Sequence, residues 1–145
     1  MDENLRREII LDGYQNPYNK ENKVTNKEDY IKINTSSESC IDDLNVYFKI
    51  ENNLIKDVCF EGEACAISTS ATSIMLKKLV GKSINEAKTL LINYQNMINE
   101  LPYDKDILEE LNAYDEIYLK PNRKGCALIP AKAVERLIKG LENEN

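Results

Sequence analysis

Leu44-Asn45-Val46-Tyr47-Phe48-Lys49-Ile50-Glu51-Asn52-Asn53-Leu54-Ile55-Lys56-Asp57-Val58-Cys59-Phe60-Glu61 decides the fold. Leu44, Val46, Phe48 and Ile50 alternate with Asn45, Tyr47 and Lys49. Successive side chains on a strand point to opposite faces, so this is the pattern of a half-buried antiparallel strand. Asn tolerates the left-handed conformation; Asn52-Asn53 therefore makes a hairpin turn, and Leu54 to Glu61 is the returning strand. Upstream, Tyr30, Ile31 and Ile33 predict a further strand. Together these make a three-stranded meander, closed by Gly62.

Outward from the meander the period changes to that of a helix. Leu5, Ile9 and Ile10 predict an opening helix, which Asn16-Pro17 ends because proline disfavours helix in the residue before it. Residues 18 to 27 are polar and read as a loop. After Gly62, the small residues of Ala64 to Ser73 lead into Ile74, Met75, Leu76 and Leu79, with Gly81 as the helix C-cap. Ser83-Ile84-Asn85-Glu86 matches a capping box, and Ala87, Leu90, Leu91, Tyr94, Met97, Ile98 and Leu101 carry an apolar stripe as far as Pro102. A helical turn around Ile107, Leu108 and Leu111 precedes an irregular stretch, Ala113 to Lys124. The last helix carries Leu128, Ala131, Val134, Leu137, Ile138 and Leu141. Pro130 fits only its first turn, which places Cys126 at its N-terminus. Strands followed by helices predict an α+β fold: a three-stranded antiparallel sheet with helices packed on one face, in a single domain over residues 1–145.

Composition narrows the function classes. The chain has 145 residues, 42% hydrophobic and 30% charged, and no apolar run approaches the ~20 residues that cross a bilayer. The acidic start Met1-Asp2-Glu3-Asn4 lacks the basic, then apolar, pattern of a signal peptide, so the expected location is the cytoplasm. A net charge of −6 opposes nucleic-acid binding, which needs clustered Lys and Arg to neutralise phosphates. A protein partner is the better expectation. The basic cluster Lys120, Arg123 and Lys124 lies just before Cys126, where it either lowers that thiol's pKa, meets an acidic partner or is simply a solvated loop.

The four cysteines stand at positions 40, 59, 65 and 126, in a chain without histidine. They are too few and too irregular for a disulfide framework, and a reducing compartment keeps them as thiols. Cys59, between Val58 and Phe60 inside a strand, reads as a small buried hydrophobe. The other three fall at element junctions, with Asp42 two residues past the first. If those junctions share one end of the sheet, Cys40, Asp42, Cys65 and Cys126 make a tetrahedral ligand set, which suits zinc or an iron–sulfur cluster. The alternatives stay open on spacing alone, because no paired Cys-x-x-Cys knuckle is present and Asp42-Asp43 also reads as a solvated strand start.

Gly62-Glu63-Ala64-Cys65-Ala66-Ile67-Ser68 resembles the second-cysteine motif of SufU, the zinc-containing branch of the IscU-like iron–sulfur assembly proteins. Leu5 to Lys20, with Tyr14-Gln15-Asn16-Pro17, is similar to the family's opening helix and Tyr-x-Asn-Pro turn. Cys40-Ile41-Asp42 resembles its Cys-Gly-Asp, and Cys126-Ala127-Leu128 its third-cysteine helix. The long connection from Cys65 to Cys126, and Gly125 where scaffold-type members carry histidine, favour the SufU branch. The resemblance implies an IscU/SufU-like fold and zinc held by Cys40, Asp42, Cys65 and Cys126. It also implies sulfur transfer from a PLP-dependent cysteine desulfurase of the SufS type towards downstream iron–sulfur assembly proteins. Cys40 would accept persulfide sulfur, and Arg123 would orient the persulfide or the partner. The alternative within the family is a scaffold on which an iron–sulfur cluster is built. Ile41 departs from the family glycine, and the expected effect is either a stiffer Cys40 loop or an altered reach of Asp42 to the metal, since a β-branched residue resists conformations that glycine permits. Gly13 stands where the family commonly has histidine.

Overall fold

The computed structural model describes residues 1–20, 27–36 and 42–143. Cys40 and Ile41 therefore lie outside the described residues, as does most of the polar segment expected to form a loop.

The meander forms as the alternation predicts. Strands β1 (Ile31–Asn34), β2 (Asp43–Glu51) and β3 (Leu54–Glu63) pair antiparallel in the order β1-β2-β3. Asn52 and Asn53 both take positive φ, 53° and 63°, and so turn the hairpin. A register shift between Lys49 and Ile50 brings Ile50 opposite Ile55. Leu44, Val46, Phe48, Val58 and Phe60 join the apolar core. Tyr47 and Cys59 are paired across the strands on the opposite face, and both are buried.

Helix α1 (Glu3–Gln15) starts at an Asp2 cap and stops at Asn16, before Pro17. It packs closely on α2 (Ala66–Leu79), whose buried Ser68, Ser70, Ala71 and Ser73 present little bulk. A Cβ at Gly13 would stand 3.0 Å from that of Ser70. The tight contact explains why this position lacks a side chain. Past α1, the Tyr18 amide donates to Ser73 Oγ at 2.7 Å, and Asn19-Lys20 runs along the outer edge of β3, where Asn19 O accepts from Phe60 N–H at 3.2 Å.

Helix α3 (Ile84–Ile98) carries the predicted capping box, with Ser83 and Glu86 satisfying each other's amides. It ends earlier than its apolar stripe implies. Glu100 turns left-handed at φ 61°, and the Leu101 amide returns to the Asn96 carbonyl at 2.8 Å, so Leu101 is exposed rather than packed. Gly81 also has positive φ, but α2 is capped one residue before it by Val80, and the Gly81 amide instead docks on the Ile55 carbonyl at 2.8 Å.

The expected irregular stretch is more ordered than its sequence reads. After the turn α4 (Lys105–Leu108) and two 3₁₀ segments, Pro121 opens a short helix, α5 (Pro121–Ala127), followed by α6 (Ile129–Asn143). Seven residues show no usable period, but proline at the first helical position has its φ preset and lacks only an amide that would go unpaired there. Cys126 consequently sits in the last turn of α5, not at the N-terminus of the final helix. Among the described residues, no helix is long and apolar enough to cross a membrane.

Candidate metal centre

Asp42, Cys65 and Cys126 converge. The nearest carboxylate oxygen and the two sulfurs all lie within 4.8 Å of one another, although the residues come from the start of β2, the junction of β3 with α2, and α5. The meander accounts for the first two, since Asp43 pairs with Glu63 and so carries Asp42 to the point where the chain leaves β3 for α2. Thr35 fixes the base of the β1–β2 connection through both polar groups of Leu44, its amide giving 2.9 Å to the Leu44 carbonyl and its hydroxyl taking the Leu44 amide at 3.2 Å.

Each candidate ligand is held differently. Asp42 is 2% exposed; its Oδ1 accepts the Cys65 amide at 2.9 Å and its Oδ2 the Ser68 hydroxyl at 2.5 Å. Cys65 is the N-cap of α2, and its sulfur accepts the Ser68 amide at 3.4 Å. The helix N-terminus thus faces the ligand set and favours negative charge there. This corrects the sequence expectation, which gave the helix N-terminus to Cys126. Burial foremost, then the Cys65 sulfur beside it, pushes the Cys126 thiol up to about 11, against the first of the three readings of the basic cluster, a lowered value. Of those cations, Arg123 is exposed and lies three residues before Cys126 on α5, and Lys120 is exposed at the start of that helix. Cys59 lies on the far face of the sheet and takes no part.

The donor set fits zinc. A tetrahedral zinc with bonds of about 2.0–2.3 Å spaces its ligand atoms about 3.3–3.8 Å apart, so atoms already within 4.8 Å need only small side-chain adjustment. Two sulfurs and a carboxylate are ligands that zinc accepts, and both cysteines are half-buried. Because a ligating thiol must lose its proton, affinity rises with pH. Sequence reading missed Ser68, which contacts all three ligand residues; it sits inconspicuously in a run of small residues, with only its three-residue spacing from Cys65 as a signal.

The NifU-like N-terminal domain family model matches residues 5–120. The chain is 32% identical over 142 residues to the zinc-dependent sulfurtransferase SufU of Bacillus subtilis, covering 97% of this chain and 94% of that protein. It is 29% identical over 101 residues to the iron–sulfur cluster assembly scaffold protein IscU of Thermotoga maritima, covering 70% of this chain and 71% of that one. Among solved structures, a SufU from Fervidobacterium islandicum, designated a candidate scaffold for the SUF system, superposes with a TM-score of 0.76 at 29% identity, over 88% of this chain and 92% of that one. The N-terminal part of a NifU-like protein from Brucella abortus shares the fold, with a TM-score of 0.80 at 18% identity over 94% of each chain. The chain belongs to the NifU-like N-terminal domain family, the IscU-like proteins of iron–sulfur cluster assembly.

Proposed function

We propose that this chain is a zinc-dependent sulfur acceptor in iron–sulfur cluster biogenesis, taking persulfide sulfur from a PLP-dependent cysteine desulfurase of the SufS type and passing it to downstream assembly proteins. The observation that carries the reading is the convergence of Asp42, Cys65 and Cys126. Identity to the Bacillus sulfurtransferase over 97% of the chain supports it.

Cys40 is the fourth ligand and the acceptor in this reading. Two peptide units separate it from Asp42, a span of at most about 7 Å. Bound zinc would hold the thiolates deprotonated at neutral pH. The Cys40 thiolate attacks the outer sulfur of the desulfurase persulfide. A new sulfur–sulfur bond forms on Cys40, the old one breaks, and its electron pair leaves on the desulfurase cysteine, so no external oxidant or reductant is needed. Arg123, exposed one turn before Cys126, supplies a cation for the persulfide or the partner surface. The PLP chemistry that releases sulfur from cysteine belongs to the partner.

Metal analysis of protein purified without chelators tests the centre, with about one zinc per chain expected. Desulfurase turnover with wild type and with Cys40→Ser then tests the acceptor; the variant should keep the fold and lose persulfide. Undiminished transfer by that variant sinks the acceptor role. Iron with matching sulfide in place of zinc would favour the scaffold reading, which the Thermotoga relative's name supports.

A further inference from the structure

Ser68 is fully buried one turn into α2, and its hydroxyl reaches three groups of the centre: Asp42 Oδ2 at 2.5 Å, the Cys126 carbonyl at 3.2 Å and Cys65 Sγ at 3.4 Å. A hydroxyl has one proton to give and lone pairs to accept with. The nearest partner, a carboxylate oxygen, takes the proton; the Cys65 thiol is a group that can donate back. With Asp42 Oδ1 held by the Cys65 amide and Oδ2 by the Ser68 hydroxyl, the carboxylate is gripped at both oxygens by the first turn of α2. The Cys126 carbonyl lies near Ser68 at no cost to a helix ladder, because Pro130, four residues on, has no amide to offer it.

We propose that Ser68 is a positioning residue of the metal centre: it holds the Asp42 carboxylate in the orientation from which it ligates a divalent metal, and it acts through Asp42. This rests on the reading of Asp42, Cys65 and Cys126 as a metal centre. A purely structural serine, one that only seats α2, would weaken metal binding equally with or without the carboxylate. A positioning serine matters only while Asp42 is there to be positioned.

The test is a double-mutant cycle on the full chain, with zinc affinity measured by competition against a chromophoric chelator for wild type, Ser68→Ala, Asp42→Ala and the double variant. Ser68→Ala should weaken zinc about 10–100-fold, as outer-shell losses do, and should add less than about threefold in the Asp42→Ala background. Cobalt(II) spectra at saturating metal give a second readout that does not require a stable metal-free variant: the d–d bands of Ser68→Ala should move towards those of Asp42→Ala. Equal losses in both backgrounds, or wild-type affinity and bands for Ser68→Ala, overturn the proposal. Absence of zinc binding by wild type, or Asp42→Ala binding as wild type does, would remove the centre or its carboxylate and the proposal with it, a failure visible without any Ser68 variant.

Discussion

Gly62 has φ +119°, and a Cβ there would stand 2.2 Å from the Asp43 carbonyl oxygen, a backbone atom that cannot swing aside. Gly62→Ala should therefore cost more than about 2 kcal/mol, read as a lower urea midpoint, from backbone strain and lost pairing at the mouth of the hairpin. Asp43 adjoins Asp42, so the same change should also weaken zinc; an unaltered midpoint would show that the two strands can part without penalty. Cys65→Ser and Cys126→Ser act on the proposed ligands themselves. Each should lower the zinc retained after desalting from about one per chain towards none, while the metal-free chain stays folded on its apolar core. Retention of a full equivalent by either variant would place the metal elsewhere.

Among the elements, the outer face of the sheet carries two phenol–carboxylate pairs, Tyr30 with Asp57 at 2.5 Å and Tyr47 with Glu61 at 2.6 Å. These hydrogen bonds, ahead of burial, push both phenols up to about 12 from an ordinary 10. A pKa raised in the folded state means that the protonated phenol is favoured by folding. The contribution is fully present below pH 10 and is lost as pH rises through about 12. Thermal unfolding of metal-free protein should show a fall in stability across that window, flattened by Tyr30→Phe; an identical slope in the variant would remove Tyr30 from the account. On the other side of the sheet, the buried Tyr94 of α3 gives its hydroxyl to the Ala127 carbonyl at 2.6 Å and meets the ring of Tyr114 edge-on, and Tyr114 in turn bonds Ser70. This network ties α3 and α2 to the end of α5, next to Cys126. Tyr94→Phe should cost about 1–3 kcal/mol by taking a donor from a buried carbonyl, and calorimetry of the metal-free protein checks it.

For the molecule as a whole, the proposed ligands belong to segments far apart in sequence, so a metal bound there would join the sheet to α2 and α5 and stabilise only the folded chain. Zinc at about a hundred times its dissociation constant should add about 2.7 kcal/mol, so chelation should lower Tm by about 5–10 °C; an unchanged Tm would mean that no such link forms. Much of this architecture was legible because short-range physics fixes it. Alternation at Leu44 to Ile50, the left-handed tolerance of Asn52-Asn53 and the reciprocal cap of Ser83 and Glu86 each act within a few residues, and each appears where it was read. The seven-residue helix that carries Cys126 was not legible, since so short a segment has no period and glycine at 125 is a poor helix former. Leu101 was misplaced because its helix closes through a left-handed Glu100, a choice that its apolar stripe does not encode. The meander and the main helices were readable from local propensity and patterning, and motifs alone named Asp42, Cys65 and Cys126 as residues to bring together. That Cys65 rather than Cys126 meets a helix N-terminus, that burial raises the Cys126 thiol and that Ser68 grips Asp42 emerged from the packing alone. Those three facts depend on how α2 and α5 pack across the open end of the hairpin, and distances between residues remote in the chain are set by packing, not by spacing.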